Sequence, residues 1–117
     1  MSGQGNKSSV LQMCVGKAQN LQNLVEYSTD SIVSKTILDK QEGTITLFAF
    51  DKDQGLSEHT TPFDAMVYVV EGDLEIIISG NPYNLTANQM IIMPAQEPHA
   101  LKAISRVKML LIMIRSE

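Results

Sequence analysis

The chain has 117 residues, a formal net charge of −4, and 44% hydrophobic against 19% charged residues. That length suits a single domain with a sizeable core, and the composition is that of an ordinary globular protein. The acidic balance, without a basic stripe, argues against phosphate-directed nucleic-acid binding, and no apolar run approaches the ~20 residues of a membrane span.

The chain opens MSGQGNKSSVLQMCVGK. One Lys precedes a short, mildly apolar patch, without the charged start and long apolar core of a signal peptide, so a cytoplasmic protein is expected. Residues 1–9 are rich in Ser, Gly, Gln and Asn and are expected to be mobile. Leu21, Leu24 and Val25 are spaced for one helical face, which predicts a short helix or turn between Ser9 and Tyr27. The single Cys14 has no internal disulfide partner and no neighbouring His or carboxylate to activate it. Residues 1–30 are read as an arm and residues 31–117 as the folded domain.

After Tyr27 the texture changes. Segments rich in Ile, Val, Thr and Phe run Ser31–Leu38, Gly43–Phe50, Ala65–Glu71, Leu74–Ile78, Pro82–Leu85, Gln89–Met93, His99–Ile104 and Val107–Ile114. Gly, Pro, Asn and Asp separate them. Many short strands with this punctuation predict an all-β sandwich or barrel. No long helical period follows residue 30, which argues against an α/β fold.

Several of these strands are apolar on both faces: Leu47–Phe50, Ala65–Val70, Met90–Met93 and Met109–Ile114. A strand with one solvated face alternates instead. The pattern predicts that part of the outer surface is covered, most simply by a second copy in a two-fold homodimer. The rival expectation is that the first 30 residues cover it.

The chain holds two histidines, His59 and His99, each where an irregular stretch meets a strand. Such positions can aim a side chain into a barrel mouth. A transition metal wants three or four protein ligands, and these imidazoles are the candidate metal ligands. Along an extended strand residues 59 and 61 share a face, but position 61 is Thr. Asp64 is the carboxylate best placed to add to them. Both readings stay open: a metal pair, or two hydrogen-bonded histidines lining a pocket. Thr61, Asp64, Met66, Tyr68 and Met93 are the further candidates for contacting a small-molecule ligand. Met66, Met90, Met93, Met109 and Met113 all fall in strands, and can line an adaptable pocket or simply fill a core.

The stretch Gly55–Gly72, GLSEHTTPFDAMVYVVEG, resembles the first motif of the cupin superfamily, and Asn88–Ala103, NQMIIMPAQEPHALKA, resembles the second. In the first, His59 stands at the first His position, Thr61 at the second and Ala65 at the Glu position. In the second, Pro94 and His99 match, while Asn88 and Gln96 stand at the glycines and Ala103 at the final Asn. The resemblance covers roughly Ser31 to Ile114. It implies a double-stranded β-helix, or jelly-roll barrel, of the small single-domain conserved-barrel type, often dimeric. It also implies a metal site of three His and one Glu, of which two positions are kept here.

Three functional expectations follow. The first is a small-molecule-binding protein whose ligand lies in the barrel near His59 and His99. The second is a metal-dependent enzyme with a reduced two-His centre holding Zn, Fe, Mn or Ni. The third is a structural or regulatory dimer without cavity chemistry. Nothing in the residues selects the ligand.

Overall fold

A computed structural model describes residues 5–115. The described chain runs α1 (Gly5–Cys14), a 3-10 turn (Leu21–Asn23), β1 (Ile32–Lys40), β2 (Gly43–Phe50), β3 (Gly55–His59), β4 (Phe63–Glu71), β5 (Leu74–Ile78), β6 (Asn81–Leu85), β7 (Met90–Met93), β8 (His99–Ala103) and β9 (Val107–Arg115). The strands form two antiparallel sheets, β1-β2-β9-β4-β7 and β3-β8-β5-β6. The two sheets face each other as a jelly roll, within the all-β class that the strand punctuation predicts and of the type that the resemblance implies.

The core lies between the sheets. Side chains alternate along a strand, so Val67 and Val69 of β4, Val107 and Met109 of β9, Ile76 of β5 and Leu101 of β8 point inward and are buried. Phe50 and Leu74, almost fully buried, join this cluster. Burying a residue of that size contributes roughly 1.5–3 kcal/mol.

One strand was not foreseen. Gly55–His59 pairs with β8 at the edge of the four-stranded sheet. Its sequence, GLSEH, is poor in β-branched and aromatic residues, so propensity does not mark it. Pairing with the apolar β8 supplies what propensity lacks. The helix also differs from expectation. It ends at Cys14, two residues before Gly16, whose φ of 68° suits a helix C-terminus. The Leu21 region makes only the short 3-10 turn.

The expected mobility of residues 1–9 falls partly on residues 1–4, outside those described; residues 5–9 open α1. From Leu21 onward the arm is packed. Leu24 and Val25 are buried against Leu47 and Ala49, on the outer face of β2. The Nζ of buried Lys108 donates to the Gln22 carbonyl at 2.5 Å, and the Tyr27 hydroxyl donates to Glu71 Oε2 at 2.6 Å. Arg106 and Lys108 both sit over the Tyr27 ring, at 5.1 and 4.9 Å from its centre. Burial, reinforced by the bond to Glu71, pushes the Tyr27 phenol well above its usual range, so it serves as a permanent donor.

The arm covers only one end of the outer face. Beyond it, Ile45, Ile112, Met66 and Ile92 form a continuous cross-strand row through β2, β9, β4 and β7. Ile92 is 49% exposed, and Met90 and Ile114 beside the row are 46% and 54% exposed. The two-sided apolar strands thus have two explanations, the arm at one end and an uncovered apolar surface at the other.

Gly72, between β4 and β5, has φ of 94°, and a Cβ there would lie 2.0 Å from the Arg106 carbonyl oxygen. Both the backbone conformation and the approach exclude a side chain. Gly72→Ala is therefore expected to destabilise the fold by at least about 2 kcal/mol. Denaturant unfolding monitored by tyrosine fluorescence checks this, and an unchanged midpoint would contradict it.

Candidate functional site

The site is built on strand β8, where His99, Leu101 and Ala103 share the inward face and are buried. His99 pairs across the sheet with His59, and Leu101 with Leu56. From Leu56 to His59 is three steps on β3, but from Leu101 to His99 is two on β8. The extra residue makes a bulge. Without it, Leu56 and His59 would point to opposite faces. With it, both line the cavity between the sheets, Leu56 half-buried and His59 exposed at its mouth.

The two imidazoles meet there. Their Nε2 atoms are 3.1 Å apart, and the rings are nearly perpendicular at 73°. His59 Nδ1 lies 2.7 Å from the Ser57 carbonyl oxygen and His99 Nδ1 3.2 Å from that of Glu97. A carbonyl only accepts, so an Nδ1 that carries the ring hydrogen donates it there. Burial, and then the facing His59, hold His99 below the ordinary imidazole value, with the Glu97 carbonyl opposing in part.

Behind the pair lies a cavity of about 300 Å³. Its walls are apolar: Met93, Met109, Leu111 and Met113 from the five-stranded sheet, Leu56 and Leu101 from the other. Ala65 also lines it, between Met93 and Met113 in register on β7 and β9. Its small side chain leaves room. Polar groups gather at one end only, from His59, Thr60, Thr61 and His99.

Two segments hold this end in place. The Gln96 N–H donates to the Thr61 carbonyl at 2.8 Å, and the Ala95 N–H to Asp64 Oδ1 at 2.9 Å. The Ser79 hydroxyl donates to Glu97 Oε1, and the Ser79 N–H to the Pro98 carbonyl at 2.8 Å. The turn that delivers His99 is therefore tied to the segment that follows His59. Gln96 adopts φ of 70°, a left-handed conformation unfavourable for a residue with a Cβ. These bonds hold it there.

Of the residues singled out in the sequence, His59, His99, Thr61 and Met93 line the cavity. Asp64, Met66 and Tyr68 are not among its lining residues. Ala65, Val67 and Val69 occupy the inner face of β4, so alternation turns the three outward. Asp64 is engaged by Ala95, and the Tyr68 hydroxyl donates to Asn88 Oδ1 at 2.6 Å. The sequence did not single out Leu56, Thr60, Leu101 and Leu111; for Leu111 alone there was a signal, the every-second-residue repeat of Val107, Met109, Leu111 and Met113.

The donor set can be compared with a metal centre. Four-ligand sites use three or four protein donors, commonly with an anionic one. Here there are two imidazoles, and among the described residues no group of three or more His, Cys, Asp or Glu comes together. Thr61 and Ala65 stand where the resemblance places a His and the Glu. These residues do not fit a resident divalent metal of that kind.

The depressed His99 makes stability depend on pH. Below about pH 6.5 the unfolded chain takes up a proton that folded His99 resists. Stability is therefore expected to fall as the pH drops through that value, and to level off once folded His99 is itself protonated. Urea midpoints between pH 8 and 5 should show this loss. The slope should flatten in His99→Gln, and an unchanged slope in that variant would assign the dependence elsewhere.

The family model described as the cupin domain matches residues 46–115. A conserved protein of unknown function from Streptococcus pyogenes is similar at 38% identity and a TM-score of 0.83, with 86% of this chain and 89% of that chain covered. A cupin 2 conserved barrel domain protein from Leptotrichia buccalis is similar at 34% identity and a TM-score of 0.80. That match covers 83% of this chain and 47% of the other, so this chain spans about half of that protein's length. A cupin superfamily protein from Desulfitobacterium hafniense shares the fold, with a TM-score of 0.82 at 23% identity over 86% of this chain and 92% of that one. No curated protein matches the chain.

Proposed function

The chain belongs to the cupin domain family, and within that family we propose that it binds a small molecule in its barrel cavity, next to His59 and His99. The observation that carries this reading is an unfilled apolar space of about 300 Å³ with polar groups at one end only. Ligand pockets have this character, with apolar walls and a few placed polar groups, and volumes from ~300 Å³ upward. A barrel with only a structural role would be expected to fill that space with side chains, since interiors pack closely. Ala65, with Met93 and Met113 on either side, keeps it open.

A broad thermal-shift screen of small acids, amides, alcohols, amines and sugars tests the reading, with hits confirmed by calorimetry. Ala65→Leu fills the floor of the cavity and is expected to abolish binding, while changing stability by no more than about 1–3 kcal/mol. Absence of any ligand at millimolar concentration in the folded wild-type protein would overturn the proposal.

We also propose that the protein is a homodimer, joined through the outer face of the five-stranded sheet. The support is the in-register row of half-buried Ile45, Ile112 and Met66 with exposed Ile92, flanked by exposed Met90 and Ile114. Exposed apolar surface of this kind marks association sites, and a two-fold axis pairs one such patch with itself. Sedimentation is expected to give a dimer for the wild-type chain and a folded monomer for Ile92→Asp. A wild-type monomer at micromolar concentration would refute this assembly.

A further inference from the structure

The cavity reading says that something binds; the make-up of the walls narrows what it is, and this inference rests on that reading. The lining residues include no Asp, Glu, Lys or Arg. The nearby carboxylates are engaged outside it: Asp64 accepts from the Ala95 N–H and Glu97 from the Ser79 hydroxyl. A charged ligand would give up hydration without meeting a fixed opposite charge, which is costly. These walls suit an uncharged occupant.

The five-stranded sheet offers that occupant a slot. One cross-strand row of this sheet runs Thr44, Met113, Ala65 and Met93, through β2, β9, β4 and β7. Met113 and Met93 flank Ala65 on strands roughly 9–10 Å apart, and only a methyl group lies between them. A ring seated over Ala65 would lie about 5 Å from each flanking strand, the separation at which a thioether sulfur contacts an aromatic ring. Neither methionine has an aromatic neighbour in the row to take up that contact: Met113 lies between Thr44 and Ala65, and Met93 beside Ala65. A saturated ring gains burial there but no sulfur–aromatic contact.

The volume agrees with one ring and a short substituent. An apolar cavity of about 150 Å³ holds a single benzene, and this one measures about 300 Å³. At its polar end Thr60 and Thr61 bring hydroxyls, which both donate and accept. The Phe63 N–H donates to Thr61 Oγ1 at 3.3 Å, and the hydroxyl keeps its own hydrogen to donate.

We propose that the cavity takes a small uncharged molecule with a single aromatic ring and a short polar substituent. The ring sits over Ala65 between Met93 and Met113, and the substituent meets the end formed by Thr60 and Thr61.

The test uses the full chain in metal-free buffer at pH 8, above the ordinary imidazole value. Calorimetry compares 2-phenylethanol with 2-cyclohexylethanol, phenylacetate and 2-phenylethylamine, which keep its length. The aromatic alcohol is expected to bind at least about threefold more tightly than the cyclohexyl alcohol. The two charged probes are expected to be at least about tenfold weaker than it. Met93→Leu with Met113→Leu keeps the side-chain volumes nearly constant. That protein is expected to lose the preference, with the phenyl probe about three- to tenfold weaker and the cyclohexyl probe unchanged. In wild-type protein labelled at the methionine methyls, 2-phenylethanol is expected to shift Met93 and Met113 by its ring current. Met66 and Met90, on the outer face, should not move.

Cyclohexyl binding as tight as phenyl, or a preference that survives in the double variant, would overturn the aromatic assignment. A charged probe that binds as well as the alcohol would overturn the uncharged class. Unshifted Met93 and Met113 methyls in the complex would overturn the placement, and this reading needs no variant. If all four probes fail and the broad screen finds another ligand, the ligand class falls while the cavity remains a binding site. Failure of both the probes and the screen would remove the binding reading itself.

Discussion

The facing of His59 and His99 depends on one extra residue in β3. Strand geometry allows a side chain only two directions, and three steps from Leu56 to His59 would put these two on opposite faces. The bulge opposite β8 restores the parity, so Leu56 and His59 both line the cavity, His59 at its exposed mouth. His99 needs no such device. It lies in phase with Leu101 and Ala103, whose burial sets the orientation of the whole strand. One imidazole is thus placed by regular alternation and the other by an irregularity. Their Nε2 contact of 3.1 Å is the sum of both.

The rest of the site keeps that contact in place. The turn before His99 contains Gln96 in a left-handed conformation that a side chain disfavours. Backbone bonds to Thr61 and the carboxylate of Asp64 hold this turn against the opposite segment. Asp64 thereby acts at a distance from the cavity, on the geometry of the loop rather than on a bound molecule. Ala65, the next residue, faces inward and is small. These neighbours on one strand shape the site in two ways, one by tethering the turn and one by leaving space.

Much of the barrel was legible along the chain. Short apolar segments broken by Gly, Pro, Asn and Asp mark strands wherever both propensity and burial favour them, as in β2, β4 and β9. The strand GLSEH escaped because its residues favour no extended structure by themselves; its conformation comes from β8. The outer face shows the same limit. Apolar residues on both sides of β4 and β9 announce that something covers them. They do not reveal that Leu24 and Val25 cover one end, while half-buried Ile45, Ile112 and Met66 lead in a row to exposed Ile92 at the other.

By itself, the sequence determined the strand-rich class, the two histidines at strand boundaries, and the resemblance that places Thr61 and Ala65 at the other two ligand positions. These are local properties, carried by residue type and spacing. The direction of each side chain was decided only by the tertiary structure, because direction depends on register, and register on pairing between distant segments. Asp64, Met66 and Tyr68 turn outward for that reason, and Leu56, Leu101 and Leu111 turn inward. The charge character of the cavity is decided in the same way. Carboxylates close in sequence to both histidines are carried out of the cavity by the fold, and two imidazoles remain at its mouth with their Nε2 atoms facing.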